Sequence, residues 1–146
     1  MVANLWNEEE RSRFLQRISA APLRLMSAVS AYEAAVVIFA RRKSKQDVAD
    51  LWELLDTLKV EIAPFGYEEA IDAATAYQIY GKGIHPAGLN ICDCPAYSLA
   101  QSRQLSLLFY GDDFSKTDIQ IASELNLLQV RRRFPCAMIP KYAVGT

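Results

Sequence analysis

Apolar residues recur along this chain at two spacings, helical over long stretches and continuous over short ones. Phe14, Leu15 and Ile18 share one helical face, and Asn7 with Glu10 has the form of a capping box, so the pattern predicts a helix from Asn7 to about Ala20. Leu23 to Met26, after Pro22, reads as a short strand. Ser30 and Glu33 form a second candidate capping box opening a helix through Arg42, and its run from Ala34 to Phe39 is apolar enough to imply deep burial. Val48, Leu51, Trp52 and Leu55 mark a third helix, about Lys45 to Leu58, opened by Ser44. Val60 to Ala63 is β-prone and ends at Pro64. Tyr67 to Tyr80 reads as a helix stopped near Gly81 and Gly83. A Gly-punctuated loop around His85 follows, then a helix from about Asp93 to Gln104 and a strand from Leu105 to Tyr110. Strands alternating with helices predict an α/β fold with a parallel sheet covered on its faces. Beyond residue 122 the periodicity weakens, and 123–146, with Arg131-Arg132-Arg133 and two prolines, reads as a tail of uncertain order.

Composition narrows the functional classes. A chain of 146 residues that is 51% hydrophobic is sized for one domain with a real core. The formal net charge of −1 gives no global basic field, so any nucleic-acid contact must come from local patches or from metal ions. No apolar run reaches the length of a membrane span, and Asn7-Glu8-Glu9-Glu10 lies where a signal peptide needs apolar residues. Three cysteines, two of them in Cys92-x-Cys94, make a poor disulfide framework and point to a reducing cytoplasm.

The candidate chemistry is acidic. Asp93 sits where a loop enters a helix, Glu33 lies near another helix start, and Asp112 and Asp113 follow an apolar strand. Each has a plain structural reading: a helix cap for Asp93, a capping box for Glu33, a surface turn for the Asp pair. Residues just past the carboxyl ends of parallel strands also line the ligand crevice of such sheets. Carboxylates gathered there repel unless a cation neutralises them, and oxygen-only ligation selects Mg²⁺ or Mn²⁺. His85 is the only histidine and reads as a loop residue; with Cys92 and Cys94 it lacks a fourth zinc ligand at standard spacing. Arg41-Arg42-Lys43 with Lys45 compensates a helix end, with phosphate contact as the other reading.

Four segments together resemble VapC-type PIN-domain ribonucleases over about residues 2 to 122: Val2-Ala3-Asn4-Leu5-Trp6-Asn7-Glu8-Glu9, Ser27-Ala28-Val29-Ser30-Ala31-Tyr32-Glu33-Ala34, Leu89-Asn90-Ile91-Cys92-Asp93-Cys94, and Gly111-Asp112-Asp113-Phe114 with Thr117-Asp118-Ile119. The resemblance implies a PIN-like three-layer α/β fold with a central parallel sheet. It implies a Mg²⁺-dependent endoribonuclease (Mn²⁺ also serving), the toxin of a type II toxin–antitoxin pair, with Glu33, Asp93 and Asp113 as metal ligands and Asp112 as the alternative to Asp113. It further implies RNA as substrate, a VapB-type antitoxin as partner, a homodimer and no membrane. The chain departs from the pattern at three places. The family's first strand, central in the sheet and carrying a metal-binding Asp, has no counterpart here, which predicts unpaired backbone groups on the strands beside the gap. Cys92 replaces a usual Gly and Pro95 a usual aromatic. The domain expected is therefore an N-terminally truncated PIN-like unit over 1–122 with a tail over 123–146. The alternative function is an inactive remnant that keeps only the antitoxin-binding or dimerisation surface; a metal-free interaction module is a third.

Overall fold

The computed structural model describes residues 8–109, 113–122 and 142–144. Its elements, in chain order, are α1 (Glu8–Ala20), β1 (Arg24–Ser27), α2 (Ala28–Arg42), α3 (Lys45–Thr57), β2 (Glu61–Ala63), α4 (Tyr67–Tyr80), α5 (Asp93–Ser102), β3 (Ser106–Leu108) and β4 (Tyr142–Val144). Asn7 of the expected first capping box lies outside the described residues. α2 begins three residues earlier than expected. Its N-cap is Ser27, whose Oγ accepts from Val29 N at 3.2 Å, so Ser30 lies inside the first turn and the Ser30–Glu33 capping box does not form. β1 runs directly into α2, and the residue at the junction takes the cap. Ser44 caps α3 as expected, accepting from Asp47 N at 3.1 Å. α4 stops at Gly81, where a Cβ would lie 2.3 Å from the Tyr77 carbonyl oxygen.

The sheet order is β2-β1-β4-β3. β1 pairs parallel with β2, with Met26 opposite Ile62. β4 lies antiparallel to both neighbours, Ala143 facing Leu25 on one side and Leu107 on the other. β1, β2 and β3 therefore run the same way, and β4 alone is reversed. On the outer edge of β3, Leu107 N–H donates to Gln120 O at 2.8 Å and Ala122 N–H to Leu107 O at 3.1 Å, a parallel bridge that covers the edge. The gap expected at the middle of the sheet is thus filled. The strands beside it are paired by a segment close to the far end of the sequence, because backbone donors and acceptors buried between two layers must find partners from somewhere.

Period-two alternation along the strands splits the core into two faces. Leu25, Leu107 and Ala143 pack with Ala73 and Ala76 of α4 and with Ala96, Tyr97, Leu99 and Ala100 of α5. Met26, Leu108 and Val144 point the other way and pack with Ile18 of α1, Ala34 and Ile38 of α2, and Leu51 and Leu55 of α3. The result is three layers, helices–sheet–helices. The apolar run of α2 is buried on one side only: Ala34 and Ile38 are inside, while Tyr32, Val36 and Phe39 are exposed. Six consecutive apolar residues wrap the whole helix, but α2 has neighbours on one side, so deep burial of the run does not follow.

Candidate functional site

All three sequence-predicted acids belong to elements that open or close at one end of the sheet. α2 starts where β1 ends, and Asp113 follows β3 by five positions. α5 precedes β3 and runs back along the sheet, so its first residue, Asp93, also lies at the carboxyl ends of the parallel strands. Such an end is where ligands bind in sheets of this kind. The pairing of β4 brings Tyr142 beside Leu108 at the same end.

Asp93 is 1% exposed. A reciprocal pair of hydrogen bonds fixes it. Asn90 Oδ1 accepts from Asp93 N at 3.0 Å and from Cys92 N at 2.7 Å, while Asp93 Oδ2 accepts from Asn90 N at 2.7 Å. The exchange has the form of a capping box closed across the turn that enters α5, between Asn90 and Asp93, while the N-cap residue itself, Cys92, makes no side-chain cap bond. The capping role expected of Asp93 is present, but as the returning acid of the box. The backbone N–H that Asp93 Oδ2 accepts offsets part of the cost of burying this polar side chain.

Glu33 is half-buried on the second turn of α2, and Asp113 is half-buried at the turn after β3. Asp112 lies outside the described residues. Near Glu33, Ser30 is 3% exposed and its Oγ finds no hydrogen-bond partner among the described residues. Among the described residues, no three His, Cys, Asp or Glu side chains stand close enough to hold an ion together. The donor chemistry still fits a hard cation, since all the candidate ligands are carboxylate oxygens.

The turn carrying Asp113 is anchored from several sides. Phe114, 1% exposed, packs on Phe109 with ring centroids 4.9 Å apart. Thr117 N and Oγ1 both donate to Phe114 O, at 3.1 and 2.7 Å. Lys116 Nζ reaches Pro86 O at 3.4 Å. Asp118 accepts from the Tyr97 hydroxyl at 2.5 Å, a contact between residues 21 positions apart. That bond, with a further one from Tyr80, holds the Asp118 carboxyl below its ordinary range, while burial and the Asp118 carboxylate push the Tyr97 hydroxyl well above its own. Neither residue stood out as functional in the sequence. The available signals were the placement of Tyr97 one helical turn after Asp93 and the Thr117-Asp118-Ile119 segment.

His85 is a loop-ordering residue. Its Nδ1 accepts from Ala87 N at 3.1 Å, and its ring meets Tyr80 edge-on at 5.1 Å. Cys92 is half-buried and Cys94 is buried. In the basic cluster, Arg42 pairs with Asp47 across the α2–α3 junction, and Lys43 ends α2 in the left-handed conformation. A groove whose lining includes none of the three acids lies toward the β2 side of the sheet. It runs between the ends of β1 and β2 and the flanks of α4 and α5, lined by Ser27, Phe65, Glu69, Asp72, Ser98 and Ser102 among others.

The PIN domain family matches residues 2–120 of this sequence. The chain belongs to the PIN-domain family. This PIN domain is similar to ribonuclease VapC30 of Mycobacterium tuberculosis, 42% identical over 120 residues that cover 82% of this chain and 90% of the relative. It is 37% identical to ribonuclease VapC of Mycolicibacterium smegmatis, over 82% of this chain and 92% of the relative. It is 34% identical to ribonuclease VapC28 of Mycobacterium tuberculosis, over 84% of this chain and 92% of the relative. β4 of this PIN domain lies beyond the matched residues, yet occupies an interior position in the sheet. No helix among the described residues is long and apolar enough to cross a membrane.

Proposed function

We propose that this PIN domain is a divalent-metal-dependent ribonuclease that hydrolyses RNA phosphodiester bonds as the toxin of a type II toxin–antitoxin pair. The reading is supported by the topology: Glu33, Asp93 and Asp113 come from elements that meet at the carboxyl end of the parallel strands, in a chain whose relatives are named ribonucleases. In this reading Glu33, Asp93 and Asp113, or Asp112 in place of Asp113, hold Mg²⁺ or Mn²⁺. Such an ion, when bound, lowers the pKa of water and offsets charge on the leaving oxygen. The contribution of the chain itself is orientation. Asn90 presets Asp93, and the Phe114 anchor presets the turn that carries Asp113. The partners proposed are RNA, a VapB-type antitoxin and a second copy of the chain, in the cytoplasm.

A second reading is a non-catalytic remnant that keeps the antitoxin-binding or dimer surface. One observation favours it: no three ligand side chains are gathered among the described residues. Mn²⁺ titration with RNA cleavage separates the two. The ribonuclease reading expects Mn²⁺ binding and metal-dependent cleavage, both lost in Asp93→Asn. Antitoxin binding without cleavage at any Mn²⁺ concentration would establish the remnant instead.

A further inference from the structure

Two of the proposed metal-binding acids lie on different elements, and nothing in the backbone alone sets their separation. Asp93 begins α5, while Asp113 sits on the turn after β3. A cation site needs its oxygens held to within a fraction of an ångström. One side-chain contact described above joins these two elements near the acids. Tyr97, one helical turn after Asp93 and 6% exposed, donates its hydroxyl to Asp118 Oδ1 at 2.5 Å, and Asp118 follows Asp113 by five residues. The span between them is stiff, since Phe114 is buried in the core and Thr117 closes it internally through Phe114 O and Ile119 N.

The contact has a third member. The Tyr80 ring, at the end of α4, lies 5.3 Å from the Tyr97 ring and 5.1 Å from the ring of His85. His85 belongs to the loop that leads to Asp93. The tyrosine pair thus touches α4, the loop before Asp93, the helix that Asp93 begins, and the turn that carries Asp113. A buried tyrosine hydroxyl needs a partner, and a carboxylate acceptor makes a short, charge-assisted bond with defined direction. Asp118 itself is exposed, so the bond is partly shared with water and contributes little to overall stability. Its larger effect is on where the turn sits.

We propose that Tyr97 and Asp118 are positioning residues: their hydrogen bond holds the Asp113 turn against the Asp93 helix, so that the two acids meet a divalent cation at a fixed separation. The inference rests on the ligand set proposed above.

The test is Mn²⁺ binding by calorimetry on the full chain, with hydrogen exchange of residues 113–119 as the second measurement. Tyr97→Phe keeps the ring packing and removes only the hydroxyl. Asp118→Ala removes the acceptor, and Asp118→Asn keeps a carbonyl oxygen in its place. Outer residues that orient metal ligands are worth about 10-fold or more in affinity. Tyr97→Phe and Asp118→Ala should each weaken Mn²⁺ binding by about 10-fold and speed exchange in the turn. The double variant should be no weaker than Asp118→Ala alone, because losing the acceptor already removes the bond from Tyr97 together with the one from Tyr80. Asp118→Asn should stay near the unsubstituted protein. Unchanged Mn²⁺ affinity in Tyr97→Phe and Asp118→Ala, whatever their thermal midpoints, would overturn the proposal. So would Asp118→Asn binding as weakly as Asp118→Ala, because Asp118 would then be acting as a ligand. If the unsubstituted protein binds no Mn²⁺, the ligand set itself fails, and the positioning role with it. That outcome differs from failure of the inference alone, in which Asp93→Asn abolishes binding and Tyr97→Phe does not.

Discussion

Replacing Asp93 separates its two roles, because the capping bond and the charge can be removed one at a time. In Asp93→Asn the amide keeps an oxygen that can accept from Asn90 N, now 2.7 Å from Oδ2. What is lost is the negative charge at the start of α5, about 0.3–1 kcal/mol, and the charge assistance of one hydrogen bond, about 1 kcal/mol. The expected cost is about 1–2 kcal/mol, roughly 2–8 °C in Tm for a chain of this size. In Asp93→Ala the acceptor itself goes. A half-buried Asn90 N–H left without a partner adds about 1–3 kcal/mol, which brings the total to about 2–5 kcal/mol. Urea denaturation of the three proteins at neutral pH measures the ladder, and RNA cleavage with Mn²⁺ is assayed in parallel. The chemistry should be lost in both variants, while stability falls in two steps. Equal destabilisation by Asn and Ala would refute the retained bond. An Asp93→Ala variant as stable as its parent would refute the capping box as a contributor, and would mean that burying the charge costs as much as the bond returns.

Three further outcomes follow from geometry already described. Ala143→Pro removes a backbone donor from an interior strand of the sheet; the orphaned acceptor should cost about 1–3 kcal/mol, read as a lower urea midpoint and loss of soluble protein. Lys59 and Gln104 sit just past the ends of α3 and α5 with φ of 52° and 55°. There Val60 N bonds Leu55 O and Leu105 N bonds Ala100 O, each at 2.9 Å, the arrangement that favours glycine. Lys59→Gly and Gln104→Gly should each raise stability by about 0.5–1 kcal/mol, the relief of left-handed strain less the entropy of glycine in the unfolded chain. The Tyr97 hydroxyl is held above its ordinary value, so its stabilisation is complete below about pH 10 and is lost as pH rises beyond that, when the unfolded chain ionises first. Asp118, held low, contributes above the ordinary carboxylate range and loses that contribution as pH falls through it. The stability difference between the parent and Tyr97→Phe should therefore be flat through neutral pH and shrink in alkali; a difference that grows in alkali would contradict the assignment.

Much of this architecture was legible from spacing. α4 matches its expected limits, because a glycine stands at each end, Gly66 as its N-cap and Gly81 just past Tyr80. The start of α2 was misread by three residues. Ser-x-x-Glu has the form of a box, but whether it closes depends on where the preceding strand stops, and that is set by pairing with β2. The burial of the Ala34–Phe39 run was overread, since an apolar residue is recognised by type and its neighbours are not. β4 carried no signal at all. Three residues have no period to detect, and their partners lie elsewhere in the sequence. The candidate acids could be proposed from their positions beside strand and helix ends. The Tyr97–Asp118 bond could not, because two residues 21 apart become partners only once α5 and β3 have packed.

The central position of β4 also bears on how the chain comes to be folded. Arg24 pairs with Val144, so that pairing cannot form until synthesis has proceeded 120 residues past its first member. At about 5–20 residues per second that is a delay of roughly 6–24 s. Throughout it, β1 and then β3 leave the ribosome with one side of each strand unmatched. An unmatched strand side is a template for joining other chains. This protein thus passes through a window, on every round of translation, in which whatever shields that slot decides between folding and aggregation.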